Sequence, residues 1–239
     1  MSSAAPRVLA IILAYNEAGS IRAVLSELRA CLPSVDVVVI NDGSADNTSF
    51  IARGFGASVI DLPVNLGIGG AVQTGLIFAN REGYDAAFQM DGDGQHLASQ
   101  VDRLVAPVLA DEQDAVIGSR FLAVRSYRVP RIRHLGIRAL NAACTVLTGI
   151  KITDATSGFR AYNRAAIAVL ADDYPQDYPE PEAIIMLRKR GLRIGEVAVA
   201  MQERRFGQSS ITPVRSAYYM IKVLLAVLIR SLGPAEVRG

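Results

Sequence analysis

Apolar segments with β-strand character alternate with segments of helical spacing through the first half of the chain. The former are runs of Val, Ile, Leu and Ala, and the latter repeat apolar residues every three to four positions. This alternation predicts βαβ units and an α/β fold with a mostly parallel central sheet flanked by helices. The predicted strands are 8–14, 37–40, 58–62, 86–90 and 115–117, and the predicted helices are 20–31, 46–54, 69–81 and 99–110.

Length and composition favour one large domain with a tail. The 239 residues are 51% hydrophobic and 20% charged, enough to bury one substantial core. A net charge of +2 argues against a general nucleic-acid-binding protein.

Cys31 and Cys144 lie far apart without a Cys-x-x-Cys or Cys/His cluster, so we expect neither a disulfide framework nor a zinc site. The first residues lack a separate apolar region with a cleavage site, so we expect no signal peptide and a cytoplasmic location.

Two carboxylates follow the fourth predicted strand, in the sequence Asp91-Gly-Asp93-Gly-Gln95-His96. Carboxylates this close repel each other unless a cation lies between them. Mg²⁺ or Mn²⁺ bound by one or two carboxylates completes its shell with phosphate oxygens and water. The pair therefore predicts a divalent metal ion and a phosphorylated ligand.

The turn has two other interpretations. Asp and Gly are common turn residues, so the segment could serve chain reversal alone. A twelve-residue calcium loop would place Asp91, Asp93 and Gln95 at positions one, three and five. It would also put His96 where glycine is required and Asp102 where a bidentate Glu is required, and a strand rather than a helix precedes it. The calcium interpretation is therefore disfavoured.

Polar residues also follow the other predicted strands. Ligands gather at the carboxyl ends of parallel strands, so we expect these residues to meet at one edge of the sheet. Asn41-Asp42-Gly-Ser could alternatively be a turn and helix cap. The glycines from Gly67 do not make a dinucleotide loop, because Val72 stands at the third glycine position. They would let backbone approach a ligand, or permit close helix packing.

Six motifs occur in the order found in family 2 glycosyltransferases. They are Ala14-Tyr15-Asn16-Glu17, Asn41-Asp42-Gly43-Ser44, Asn65-x-Gly67, Asp91-Gly92-Asp93-Gly94-Gln95-His96, Gly118-Ser119-Arg120 and Asp154-Ala-Thr-Ser157-Gly158-Phe159-Arg160. Over about residues 7–210 the chain resembles this family, and within it the polyprenyl (dolichyl or undecaprenyl) phosphate sugar transferases.

The resemblance implies a GT-A, Rossmann-like fold and inverting sugar transfer from a UDP- or GDP-linked donor with Mg²⁺ or Mn²⁺. We divide the chain into a catalytic domain, 1–212, and a tail, 213–239. The donor half is about 7–118 and the acceptor half about 119–212. The implied metal-binding residues are Asp91, Asp93 and Gln95, with Asp93 binding directly. The implied donor-binding residues are Ala14, Tyr15, Glu17, Asp42, Gly67, Asp91 and Gly92.

Arginines crowd the sequence after the fifth predicted strand. Guanidinium groups pair bidentately with phosphate oxygens, which favours a phosphate-binding site, although a solvated basic face is the alternative. Arg120 is the first candidate for the acceptor phosphate, followed by Arg131 and Arg133. A phosphate monoester is already ionised near neutral pH, so this nucleophile would need orientation more than a general base.

Three further residues are candidates on the acceptor side. Asp154 and Arg160 could belong to a turn, but the resemblance puts them beside the acceptor pocket. Glu182 could simply complement a helix dipole, whereas the resemblance matches it to an acidic residue bordering the active site. Relatives that glycosylate hydroxyls often carry a Glu-Asp pair there, and this chain does not. That favours a phosphate acceptor, with a saccharide hydroxyl activated by Glu182 as the alternative.

The segment Arg204-Arg205-Phe-Gly-Gln-Ser209 resembles the loop that closes over the donor diphosphate in this group. By this resemblance Arg204 or Arg205 would neutralise phosphate charge. Closure of such a loop would also exclude water.

The tail contains an apolar helical segment, 217–232, whose uncharged core, 223–229, is too short to predict a membrane span. It could pack on the catalytic domain or mediate self-association. It could also lie at the cytoplasmic face of a membrane or dock a small membrane protein. The chain could then be a nucleotide-sugar-binding partner subunit, but a non-catalytic binder has little use for the Asp91/Asp93 pair.

Overall fold

A seven-stranded sheet with helices on both faces forms the centre of the protein in a computed structural model, which describes residues 5–122, 131–176 and 178–202 apart from the side chains of 131–133. The strand order is 3-2-1-4-6-5-7. Strand six runs antiparallel to both neighbours, and the other neighbouring pairs are parallel. The strands are β1 (Val8–Ala14), β2 (Asp36–Asn41), β3 (Ser58–Asp61), β4 (Ala86–Asp91), β5 (Ala115–Ser119), β6 (Arg160–Asn163) and β7 (Ile194–Ala198).

In the part of the chain that the structure describes, seven α-helices connect and cover these strands, with a short 3-10 turn at Ala98–Gln100 before the fourth of them. They are α1 (Ile21–Cys31), α2 (Thr48–Gly54), α3 (Gly67–Arg81), α4 (Val101–Leu109), α5 (Arg131–Thr148), α6 (Arg164–Asp172) and α7 (Pro179–Lys189). The mostly parallel α/β architecture predicted from the sequence is confirmed. So are the five predicted strands and four predicted helices, each within a few residues of its predicted bounds.

The sequence pattern did not predict β6, β7 or α5. β6 is only four residues long and begins with the buried Arg160. In β7, Gly195 and Glu196 interrupt the apolar sequence pattern. Both depend on pairing with β5, which supplies backbone partners that the local sequence does not reveal.

The two faces of β1 show why its sequence is continuously apolar. Leu9, Ile11 and Leu13 pack on the side of α3 and α6, whereas Ala10 and Ile12 pack on the side of α1 and α4. A strand buried on both faces has no solvated side to carry polar residues. Full burial of a Leu or Ile side chain stabilises the fold by about 1.5–3 kcal/mol.

The parallel register brings the carboxyl ends of β1, β2 and β4 to one edge. Ala14 is paired with Asn41 on β2, and Leu13 is paired with Asp91 on β4. The Gly92 amide then donates to the Leu13 carbonyl at 2.7 Å, carrying the contact one residue beyond the strand. The predicted meeting of the loops after these strands is therefore confirmed.

No helix in the described ranges is long and apolar enough to cross a membrane. The apolar segment 217–232 and the predicted domain boundary at residue 212 lie outside the described residues.

Candidate active site

The turn after β4 holds its two carboxylates in different environments. Asp93 is buried, and its Oδ1 accepts a hydrogen bond from the Gln95 amide at 2.9 Å. Gly94 has a φ of +79°, which a residue with a side chain rarely adopts. The side chain of Asp91 is 34% exposed. The turn therefore presents one partly exposed carboxylate beside one fixed by the backbone.

His96 stabilises this turn through a backbone hydrogen bond and a ring contact. Its Nδ1 accepts a hydrogen bond from the Asp91 amide at 3.0 Å, and its ring stacks on Phe159 with centroids 4.8 Å apart. Burial lowers the pKa of His96 to about 4, opposed by the carboxylates of Asp93 and Asp154 and assisted by Arg120. The imidazole is therefore neutral at neutral pH and serves as a hydrogen-bond acceptor.

The same turn is joined to the chain that follows β7. His96 forms a β-bridge with Met201, and the Gln202 amide donates to the Gln95 carbonyl at 2.9 Å. The side-chain amide of Gln95 points the same way, with Nε2 at 3.5 Å from the Gln202 carbonyl oxygen. The predicted diphosphate loop begins two residues later, and its candidates Arg204, Arg205 and Ser209 lie outside the described residues.

The donor set at this turn fits Mg²⁺ or Mn²⁺. Within residues 5–122, 131–176 and 178–202, no group of three or more His, Cys, Asp or Glu residues could hold a metal ion. Asp91 and Asp93 offer hard carboxylate oxygens. Mg²⁺ is commonly held by one or two carboxylates, with phosphate oxygens and water completing its shell. An ion here would therefore depend on a phosphorylated ligand.

The loops after β1 and β2 are fastened to each other. The Asn16 amide donates to the Ser44 hydroxyl, and the Ala45 amide donates to the Asn16 side-chain oxygen, both at 2.9 Å. The Glu17 amide donates to Thr48 Oγ1 at 2.9 Å. Asn16 adopts a φ of +55°, which Asn tolerates better than most residues. Tyr15, which precedes Asn16, is 51% exposed.

Asp42 links the second strand to the start of α3. Its two carboxylate oxygens accept hydrogen bonds from the amides of Leu66 at 2.7 Å and Gly67 at 3.0 Å. Gly67 has a φ of +79° in this connection. Asp42 thus orders the entry to α3. Its predicted contact with the nucleoside stays a prediction.

Other glycines in this region serve packing. A Cβ on Gly69 would lie 2.8 Å from the backbone of Pro175 and Gln176, so α3 closely approaches that loop. A Cβ on Gly92 would lie 3.0 Å from the Leu13 carbonyl oxygen and 3.4 Å from the Ala14 Cβ. Gly92 thus allows the turn after β4 to lie directly against the end of β1.

Arg120, just after β5, is paired with a carboxylate from a distant part of the chain. Its Nε lies 2.6 Å from Asp154 Oδ2, and its Nη2 lies 2.7 Å from Asp154 Oδ1. The Arg120 backbone amide also donates to Asp154 Oδ2, at 3.1 Å. Asp154 is 0% exposed. The Asp154 carboxylate fixes the orientation of Arg120. It also supplies the opposite charge that a guanidinium in so buried a position requires.

Comparison with known proteins decides the family. The sequence model described as Glycosyl transferase family 2 matches residues 9–170. The chain belongs to glycosyltransferase family 2.

Two relatives of this glycosyltransferase are named for lipid-phosphate acceptors. This chain is 31% identical to the undecaprenyl-phosphate mannosyltransferase of Micrococcus luteus, with 86% of this chain and 88% of the relative covered. It is 28% identical to the UDP-N-acetylglucosamine–dolichyl-phosphate N-acetylglucosaminyltransferase of Methanococcus voltae, with 93% and 95% covered.

The fold of the glycosyltransferase matches that of a solved structure. The glucosyl-3-phosphoglycerate synthase of Mycobacterium tuberculosis, in complex with Mn²⁺, UDP and phosphoglyceric acid, superposes with a TM-score of 0.74. The two chains are 22% identical, and 96% of this chain and 80% of that one are covered. The GT-A fold expected from the sequence is thus confirmed.

The remaining acceptor-side candidates of the glycosyltransferase differ in position. Arg160 is 1% exposed, and its guanidinium donates to the carbonyls of Ser157, Ala155 and Glu180 in the core. Glu182 is buried near the start of α7. Arg131 begins α5, and nothing about the side chains of Arg131 and Arg133 belongs to the described structure.

Two residues that the sequence motifs do not include support the Arg120–Asp154 pair. Asn141 on α5 accepts a hydrogen bond from the Ala155 amide at 2.9 Å, and its own amide donates to the Thr153 carbonyl. Glu196 on β7 accepts from the amides of Thr153 and Asp154. Neither residue belongs to a recognisable motif, so only the tertiary structure reveals the contacts.

Proposed function

We propose that this glycosyltransferase moves a sugar from a nucleotide-diphosphate donor to a polyprenyl phosphate, with inversion and with the aid of Mg²⁺ or Mn²⁺. The observation that carries the proposal is the packing of the carboxylate turn against the segment that leads to Arg120. The His96 ring, in the turn that holds Asp93, stacks on Phe159 with centroids 4.8 Å apart, and the Gly118 amide, two residues before Arg120, donates to the Phe159 carbonyl at 2.8 Å. A carboxylate turn for a donor diphosphate thus lies next to a fixed guanidinium.

The donor side of the proposal rests on the edge formed by β1, β2 and β4. Tyr15, Glu17 and Asp42 would line the nucleoside pocket, with Asp91 near the ribose and Asp93 on the metal. A divalent ion, when bound, would offset the negative charge that builds on the leaving diphosphate. The Asp93–Gln95 hydrogen bond fixes the carboxylate in advance, so little reorganisation is required. The Mn²⁺ and UDP in the solved relative support this assignment.

The acceptor side rests on Arg120. An ionised phosphate oxygen of the acceptor would attack the anomeric carbon, and the bond from that carbon to the diphosphate oxygen would break. The departing nucleoside diphosphate keeps the electron pair. No proton needs to be removed from the nucleophile, so the chain's task is to hold it in line and to offset repulsion between the two phosphates. Arg120 suits this task because Asp154 fixes its orientation on one side.

Two features of the chain favour a phosphate over a hydroxyl acceptor. The relatives named above act on undecaprenyl and dolichyl phosphates. A single Glu182 stands where hydroxyl-glycosylating relatives often carry a Glu-Asp pair.

Because the proposed acceptor is a lipid, we also propose that the chain associates peripherally with the cytoplasmic face of a membrane through its tail. Flotation of the full chain with anionic vesicles would test this association.

The proposal is tested by assaying the full chain with a panel of UDP- and GDP-sugars and Mg²⁺ or Mn²⁺. A short polyprenyl phosphate, an oligosaccharide and 3-phosphoglycerate serve as parallel acceptors. We expect a glycosyl phospholipid from at least one donor, and none when the metal is chelated. Transfer to the oligosaccharide or to 3-phosphoglycerate, without any lipid product, would refute the lipid-phosphate acceptor.

A further inference from the structure

Glu196 lies outside every motif of the family resemblance, yet it makes several hydrogen bonds next to the site. It stands on β7, where it is paired with Ile117 of β5. Its Oε1 accepts from the Thr153 amide at 2.9 Å and the Asp154 amide at 3.0 Å. Its Oε2 accepts from the Thr153 amide at 2.8 Å and the Thr153 hydroxyl at 2.7 Å. One carboxylate thus holds two consecutive backbone amides.

The segment held by Glu196 is also fixed from β5. The hydroxyls of Ser119 and Thr153 lie 2.6 Å apart. Ser119 is the last residue of β5 and immediately precedes Arg120. The backbone that carries Asp154 is therefore tied both to β7 and to the strand from which Arg120 extends.

Both carboxylate oxygens of Asp154 accept hydrogen bonds from Arg120, so the position of Asp154 determines that of the guanidinium. Its Oδ2 accepts from both the backbone amide and the Nε of Arg120, and its Oδ1 accepts from Nη2. A further bond from Nη2 to the Thr156 hydroxyl, at 2.8 Å, comes from the same segment. The orientation of the guanidinium is thus set by residues 154 and 156, and the position of those residues depends in part on Glu196.

We propose that Glu196 is a positioning residue for acceptor binding, acting through Asp154 on Arg120. The inference rests on the proposed role of Arg120 at the acceptor phosphate. Loss of the Glu196 carboxylate leaves the amides of Thr153 and Asp154 without their acceptor, and the segment shifts to regain hydrogen bonds. A guanidinium that must meet a phosphate in one geometry is sensitive to such a shift.

The test compares Glu196→Ala with Glu196→Gln in the full chain. Ala removes both acceptor oxygens, whereas Gln keeps one oxygen for the two amides and can donate to the Thr153 hydroxyl. Initial rates are measured against a short polyprenyl phosphate and, separately, against the nucleotide sugar. We expect Glu196→Ala to raise the acceptor KM by about tenfold, since it removes the acceptor of two partly buried amides, and Glu196→Gln to restore most of the lost affinity. The donor KM should stay within about twofold.

Arg193→Ala is the control for simple damage to the same strand. Arg193 precedes β7 and forms ion pairs with Asp114 at 3.0 Å and with Asp111 at 2.5 Å, remote from Arg120 in the hydrogen-bond network. This variant should lower the unfolding temperature without changing the acceptor KM. If Glu196→Ala leaves the acceptor KM unchanged, or changes donor and acceptor KM equally, the positioning role is refuted.

Arg120→Lys separates failure of this inference from failure of the proposed function. Lys keeps a positive charge beside Asp154 but loses the bidentate geometry. If Glu196 acts through Arg120, adding Glu196→Ala to Arg120→Lys should raise the acceptor KM no more than about twofold further. An acceptor effect of Arg120→Lys with none from Glu196→Ala refutes the inference alone. A wild-type chain that transfers no sugar to polyprenyl phosphate refutes the proposed function, and the inference with it.

Discussion

Arg120 and Asp154 are joined by two side-by-side hydrogen bonds, 2.6 Å from Nε to Oδ2 and 2.7 Å from Nη2 to Oδ1, although 34 residues separate them in sequence. The Arg120 side chain is nearly buried and that of Asp154 wholly so. In such surroundings each charge is tolerable only beside the other. The pair therefore contributes to stability as well as to the geometry of the proposed acceptor site.

We predict that Asp154→Asn lowers the free energy of unfolding by about 3 kcal/mol, because it removes the carboxylate charge that is paired with a nearly buried guanidinium. Urea denaturation measures the loss. The matched control is Arg164→Gln, which breaks a solvent-exposed pair with Asp85 at 2.9 Å and should cost less than about 1 kcal/mol. Equal losses in the two variants would contradict the structural account of Asp154.

Asp93→Asn should abolish sugar transfer while leaving the turn intact. The Asn side-chain oxygen can still accept the hydrogen bond from the Gln95 amide, but the charge that would hold a divalent ion is gone. We expect at least about a hundredfold loss of kcat, comparable to removing a group that stabilises developing charge. Mn²⁺ binding measured by calorimetry in the presence of UDP should weaken in parallel. The control Asp102→Asn, at an exposed position on α4, should leave kcat and Mn²⁺ binding unchanged. Normal turnover in Asp93→Asn would refute the metal assignment.

Acid destabilisation should report the pairing of Asp114 with Arg193. Hydrogen bonds from the Arg193 side chain lower the pKa of Asp114 from 3.8 to about 2, against the effect of burial. The resulting stability is present above the unfolded-state pKa and is lost as the pH falls from 3.8 toward 2. Arg193 is nearly half exposed, so screening limits the effect to about 1 kcal/mol. The difference in unfolding free energy between wild type and Asp114→Asn should shrink over this range, and parallel pH profiles would contradict the pairing.

Two glycine substitutions test the packing of the donor half. A Cβ on Gly75 of α3 would lie 2.3 Å from Ile11 Cγ2 of β1, so Gly75→Ala forces the helix away from the sheet. We expect a loss of about 1–3 kcal/mol in the free energy of unfolding. Gly54→Ala at the end of α2 meets nothing within 4 Å and should be neutral or stabilising by up to about 1 kcal/mol. The opposite order in thermal denaturation would contradict the observed approach of α3 to β1.

The donor half could be predicted from sequence because its signals are local. β1 and β4 are buried on both faces and read as continuous apolar runs, and the spacing of Ile21, Val24, Leu25 and Leu28 marks one face of α1. The polar residues after these strands then predicted a shared edge. The shared edge of β1, β2 and β4 follows from their parallel register.

The acceptor half was harder to predict because its contacts join distant residues. The pairing of Arg120 with Asp154 leaves no mark on the spacing of either residue. Arg160 was a site candidate by position in a motif, yet its backbone partners place it in the core. Glu196 sits in a short strand whose pairing with β5 the local sequence does not reveal. Such side-chain networks depend on the finished fold.

The most direct test of the central claim compares two acceptors that differ only in their phosphate. The full chain is given the active nucleotide sugar, Mg²⁺ or Mn²⁺, and either a polyprenyl phosphate or the polyprenol of the same chain length. Products are separated and identified by mass. We predict a glycosyl phosphate lipid from the first acceptor and no product from the second. Equal glycosylation of the alcohol, or no reaction with the phosphate, would contradict the account.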